Sequence, residues 1–237
     1  VQALGGSLHL RGTLQTDAGT TTRPLHAQLR LRDIQLPKLF ELARLLRFDV
    51  VGPDNIRGSM RCEADVHTEL GPSFLPLLAQ THAFLRTDLR DLELIEVEAV
   101  TQALKLLSEK RTGHLYFEPV QPRFVLVGSR LLIPALSLSS NLTDMTVSGE
   151  YYLTGQADLY VGLSPLQALF GDNKKRISRI QSGEAEQRPS RGLVYMNLYR
   201  QPGSPYKVRP FRKQEQQRQQ ALIQQQYREL LQRQPLD

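Results

Sequence analysis

Residues 122–163, PRFVLVGSRLLIPALSLSSNLTDMTVSGEYYLTGQADLYVGL, decide the fold. Met145, Val147, Gly149, Tyr151 and Leu153 alternate with Thr146, Ser148, Glu150, Tyr152 and Thr154, the period of a strand with one wet and one apolar face. Ala157, Leu159, Val161 and Leu163 repeat the pattern against Asp158, Tyr160 and Gly162, so the two runs read as a hairpin around Gly155. A two-residue loop would set Leu153 opposite Asp158 and mix the faces. An odd loop over 154–156 keeps them apart, with Leu153 opposite Ala157 and Tyr151 opposite Leu159, and is the register expected. Upstream, Gly128 and Ser129 suit a two-residue turn that places Leu126 opposite Leu131 and Phe124 opposite Ile133. Pro134 cannot donate to a ladder, so an edge, a bulge or a change of partner is expected between Ile133 and Ala135.

Alternation of the same kind fills the chain before this stretch. Leu8, Leu10, Gly12 and Leu14, then Leu25, Ala27, Leu29 and Leu31, form a hairpin across a Gly/Thr-rich loop. Ile56, Gly58, Met60, Cys62, Ala64, Val66 and Thr68 alternate with Arg57, Ser59, Arg61, Glu63, Asp65, His67 and Glu69. A strand of that length reaches about 40 Å, which suits a long curved sheet or barrel wall better than a compact sandwich. Ala83, Leu85, Thr87 and Leu89 follow. Two short amphipathic helices are expected, one near 37–46 with Leu39, Phe40, Ala43 and Leu46 inward, one near 95–110 with Val97, Val100, Leu104 and Leu107. The fold class is therefore mainly β (α+β): a long curved antiparallel sheet forming an open groove or partial barrel, two short helices and a C-terminal tail.

The organisation follows from composition. Residues 1–172 make the β-rich body, 173–191 a mobile polar linker, 192–211 a final strand and turn, and 212–237 a Gln/Arg-rich tail. At 237 residues and 40% hydrophobic the chain can bury a core, and its net charge of +6 is uneven. The body carries 16 Lys/Arg against 19 Asp/Glu, whereas residues 173–237 carry 14 against 5. The basic end points at an anionic partner, a membrane surface among the options. Ile223, Tyr227 and Leu230 share a face of the tail, a narrow stripe that reads as a solvated helix or disordered tail, with an amphipathic membrane-surface helix as the alternative.

Motifs for chemistry are sparse. The five histidines show no zinc spacing, Gly5-Gly6 lacks the lysine of a phosphate loop, and no G-x-S-x-G elbow occurs. Glu63, Asp65, His67 and Glu69 share the wet face of one strand, a pattern that ordinary solvated charges produce and a weak divalent-ion site would also fit. Cys62 falls on the apolar frame and reads as a buried thiol. Asn141-Leu142-Thr143 matches the glycosylation sequon and receives no role. No catalytic residue, cofactor or metal is nominated, and nucleic acid is disfavoured because the body lacks an aromatic-studded basic strand.

In order of elements the chain resembles the C-terminal region of AsmA-like Gram-negative envelope proteins of the Bacteroidetes type. A helix ending near Lys110 leads into LYFEPVQPRFVLVGSRLLIPALSLSSNLTDMTVSGEYYLTGQADLYVGL. A polar loop, the strand GLVYMNLYRQPGSPYKVRP and a charged helical tail follow. The resemblance covers residues 81–237, with the first eighty residues a looser version of the module. It implies a periplasmic body anchored in the inner membrane by a segment upstream of Val1, acting without enzymatic chemistry in outer-membrane assembly or phospholipid movement. Leu136, Leu138, Met145, Val147, Tyr151, Leu153, Leu159 and Val161 are then the candidate lining of an apolar groove for phospholipid acyl chains. Ordinary core packing is an equal reading of each residue. A scaffold docking other envelope proteins without lipid is the alternative function.

Overall fold

A computed structural model describes residues 2–16, 21–45, 51–103, 112–183 and 193–233. Its strands are β1 (Gln2–Ala3), β2 (Gly6–Leu14), β3 (Arg23–Gln35), β4 (Ile56–Leu70), β5 (His82–Ile95), β6 (His114–Tyr116), β7 (Arg123–Val127), β8 (Arg130–Ser139), β9 (Asp144–Tyr152), β10 (Ala157–Leu163), β11 (Val194–Arg200) and β12 (Lys207–Phe211). Helix α1 (Leu36–Leu45) follows β3 and α2 (Glu98–Ala103) follows β5. Helices α3 (Pro165–Phe170) and α4 (Asn173–Ser182) follow β10, and α5 (Lys213–Arg233) follows β12. All twelve strands form one antiparallel sheet in near-sequential order, with β7 on the start of β5 and β6 on its end. The terminal strands β1 and β12 do not pair with each other, so the sheet is open.

Local chemistry explains the meander. Each hairpin keeps its apolar residues in register across the ladder, as in Leu8 opposite Leu31 and Leu29 opposite Ala64. Gly128, at φ +60°, makes the tight turn that sets Leu126 against Leu131, as expected from its sequence. The register shifts between Ile133 and Leu136, where Pro134 withholds its donor, and again at Leu31/Ile34 and Arg57/Ser59. These irregularities let strands of 13 to 15 residues bend without changing faces.

Four expectations are corrected. The hairpin around Gly155 has the expected odd parity but slips by one pair, with Tyr151 opposite Ala157 and Leu159 opposite Gly149. Leu153 leaves the ladder because its N–H donates to Ser129 O at 2.8 Å, tying it to the neighbouring β7–β8 turn. The second helix begins at Glu98, since β5 holds the chain as far as Ile95, and its continuation over 104–110 lies outside the described residues.

The polar segment 173–191, expected to be mobile, contains α4. Its N-cap is Asp172, whose carboxylate accepts from Lys175 N at 3.1 Å, and its C-cap is Gly183 at φ +75°. Arg176 donates to Asp144 Oδ1 at 2.7 Å and to Ser140 O at 2.8 Å, so charge rather than apolar area holds the helix to the sheet. The tail, finally, is a helix as one of the readings had it, 21 residues long, but docked on the sheet instead of fully solvated.

Candidate functional site

Period-two alternation across aligned strands gives the sheet two faces of different character. One collects the apolar frame into a single cluster: Leu31 of β3, Cys62 of β4, Met145 of β9, Val161 of β10 and Leu198 of β11 are all buried members. Half-buried residues continue it across the sheet, among them Leu8, Leu29, Leu85, Leu138, Val147 and Leu159. Among the described residues, α1 packs Leu36, Leu39 and Phe40 onto this face and α3 contributes Ala168. Cys62 is inert there, since burial and then the neighbouring Glu63 carboxylate push its thiol up to about 11.

The eight groove candidates divide by position. Leu138, Met145, Val147, Tyr151, Leu159 and Val161 all belong to this cluster. Met145, Tyr151 and Val161 are buried, so they are packed core, whereas Leu138, Val147 and Leu159 are half-buried. Leu136 lies in neither apolar cluster and lines a hollow beside Pro134, Pro122 and Tyr227. Leu153 sits in the turn after β9.

Among the described residues the opposite face is mostly polar, with an island of Phe84, Val125, Leu132 and Tyr160 against which Val127 and Phe211 pack. Ile223 of α5, 5% exposed, inserts into that island, with Tyr227, Leu230 and Leu231 beside it. The stripe read from the sequence was therefore correct in membership, and what it meets is the sheet. Burial raises the Tyr227 hydroxyl pKa, an effect offset in part by Arg123 and Arg86. Those two arginines, with Arg11, Arg30 and Arg32, line a hollow of about 860 Å³ between the polar face and the end of α5. Strand β12, whose residues are mostly exposed, falls within the final strand and turn expected over 192–211 but is a separate strand, unread as such because KVRPF has little alternation and contains a proline.

A polar knot closes the β8–β9 end of the sheet. Asn141, 1% exposed, donates to Asn173 Oδ1 at 2.7 Å and accepts from Tyr116 N at 2.9 Å. Its sequon is thus a structural turn with no free amide to modify. Asp144 accepts from Arg176, Gln167 and Ser139. Burial alone would raise its carboxyl pKa, and these hydrogen bonds outweigh burial and hold it below the ordinary 3.8. Next to this knot α3 exposes Leu166, Leu169 and Phe170, the last at 81%, with Lys174 and Lys175 exposed one turn further on. No helix among the described residues is long and apolar enough to cross a membrane. No protein-family model matches the chain, and no curated protein or solved structure matches it.

Proposed function

We propose that this chain is a non-enzymatic module of the Gram-negative envelope that binds phospholipid acyl chains along the apolar face of its sheet. The observation that carries the reading is the apolar cluster running from β2 to β11 with Leu8, Leu29, Leu85, Leu138, Val147 and Leu159 only half-buried. An apolar face of that extent, partly open on an unclosed sheet, favours a ligand of matching shape and no fixed polarity. Acyl chains fit by area at about 25 cal/mol per Å², with headgroups left in water and little selection among chains. In this reading the body is periplasmic and an anchor upstream of Val1 holds it to the inner membrane. The exposed apolar tip of α3 beside Lys174 and Lys175 is the apolar part suited to an anionic bilayer, since the apolar stripe of α5 packs against the sheet.

A second reading has its own observation. The edge strand β12 is exposed and its outer side has no partner strand among the described residues, an edge on which another envelope protein can add a strand. Native mass spectrometry of the purified chain separates the two. Phospholipid at a fixed stoichiometry, lost on Leu138→Asp or Leu159→Asp with the fold retained, is the expected result. A lipid-free protein that also fails to take up lipid from vesicles overturns the acyl-chain reading and leaves the edge-strand scaffold.

A further inference from the structure

On the polar face, two histidines that the sequence separates by most of a hairpin stand side by side. His26 of β3 and His67 of β4 are direct cross-strand partners, and their rings stack at 4.0 Å between centroids with an 11° tilt. Asp65, two residues before His67 on the same strand face, lies between them. Its Oδ2 is 3.1 Å from His26 Nε2 and its Oδ1 is 2.9 Å from His67 Nε2. The potential ligand atoms of the three side chains all lie within 4.8 Å of one another. Glu63 and Glu69 flank the group along β4, and His82 of β5 extends the histidine row as the partner of His67 on its other side.

We propose that His26, Asp65 and His67 form a Zn²⁺ site that clamps β3 to β4. Two imidazoles and a carboxylate are a donor set for Zn²⁺, which takes nitrogen at about 2.0–2.1 Å and carboxylate oxygen at about 2.0–2.2 Å. In a tetrahedron with such bonds the ligand atoms stand about 3.3–3.5 Å apart, a few tenths of an ångström beyond the two contacts of Asp65 and within the 4.8 Å that spans the group. The ion enters through the Nε2 lone pairs, with the imidazole protons kept on Nδ1, and replaces the contacts that Asp65 now makes to both rings. The stacked rings must turn towards each other for both lone pairs to converge. Side chains exposed at 45% and 39% on an open face are free to do so. Asp65 borders the arginine-lined hollow and His67 borders a smaller one of about 260 Å³, so the fourth position opens to solvent and takes water. Glu63 and Glu69 oppose the repulsion between the dication and the nearby arginines, although Glu63 is itself paired with Arg30 at 3.0 Å.

The experiment is calorimetric titration of the whole chain with Zn²⁺, after dialysis against a chelator. The expected result is saturation at one equivalent. In His26→Gln, Asp65→Asn and His67→Gln the affinity should fall by more than the roughly 10–100-fold that removal of a mere outer-shell partner costs, while His114→Gln keeps it. Circular dichroism checks that each variant folds. For a variant that does not, the wild-type chain supplies the readout: visible bands of tetrahedral Co²⁺, and nitrogen shifts of the His26 and His67 rings on adding Zn²⁺. No saturable binding by the wild type, or binding unchanged in the three variants, overturns the site.

Discussion

The two faces of the sheet both carry apolar clusters, and the difference between them is what covers each. On the polar face the island of Phe84, Val125, Leu132 and Tyr160 is closed by α5, whose Ile223 is buried in it. On the other face the cluster runs across most of the sheet and keeps half-buried leucines and valines along its length. An apolar patch roofed by the chain's own helix has been used in folding. One left partly open keeps area for something else. The contrast teaches that the two apolar clusters differ less in how apolar they are than in how completely the described residues cover them.

The contrast can be broken or sharpened by substitution. The largest effect is expected from Val161→Asp, which places a charge at a position 7% exposed with no partner, and should cost about 4 kcal/mol or more in urea unfolding. A tolerated Val161→Asp would mean that the apolar face is wet throughout. Ile223→Ala should cost about 2–5 kcal/mol and release α5, read as faster amide exchange over residues 213–233 with the strands still protected. If instead the whole sheet exchanges faster, α5 is part of the core and the island is no separate unit.

The knot at the β8–β9 end should respond to acid. Because hydrogen bonds hold the folded Asp144 carboxyl below its ordinary value, its contribution is complete above the unfolded carboxyl pKa and is lost as pH falls through the lower folded one. Asp144→Asn should therefore flatten the pH dependence of stability below about pH 4, and cost about 1–3 kcal/mol at neutral pH. An acid limb identical in the variant and the wild type would assign the acid loss to other groups. The smallest stability effect belongs to Phe170→Asp, within about 0.5 kcal/mol given its exposure. The same variant should markedly reduce sedimentation with vesicles of anionic phospholipid, and undiminished sedimentation would remove the α3 tip from the proposal.

Much of this was legible in the amino-acid order. Strand positions, the two-residue turn at Gly128, the irregularity at Pro134, the burial of Cys62 and the shared face of Ile223, Tyr227 and Leu230 all follow from local chemistry. The register at Tyr151 did not, because the β7–β8 turn captures Leu153 from outside the hairpin. Helix α4 was also hidden, since the arginines that anchor it find Asp144 and Glu118 far back in the chain. His26 was missed as a companion of Asp65 and His67 for the same reason, although the neighbouring histidine-bearing runs of β3 and β4 were the signal from which a cross-strand pairing could have been drawn.

By itself the order of residues determined that this chain makes long two-faced strands and where most of them turn, because alternation and turn chemistry act over only a few residues. Only the tertiary structure decided which face α5 covers, which leucines remain half-open, and which distant polar side chains meet. An apolar stripe or a charged side chain specifies what kind of neighbour it needs without specifying which one.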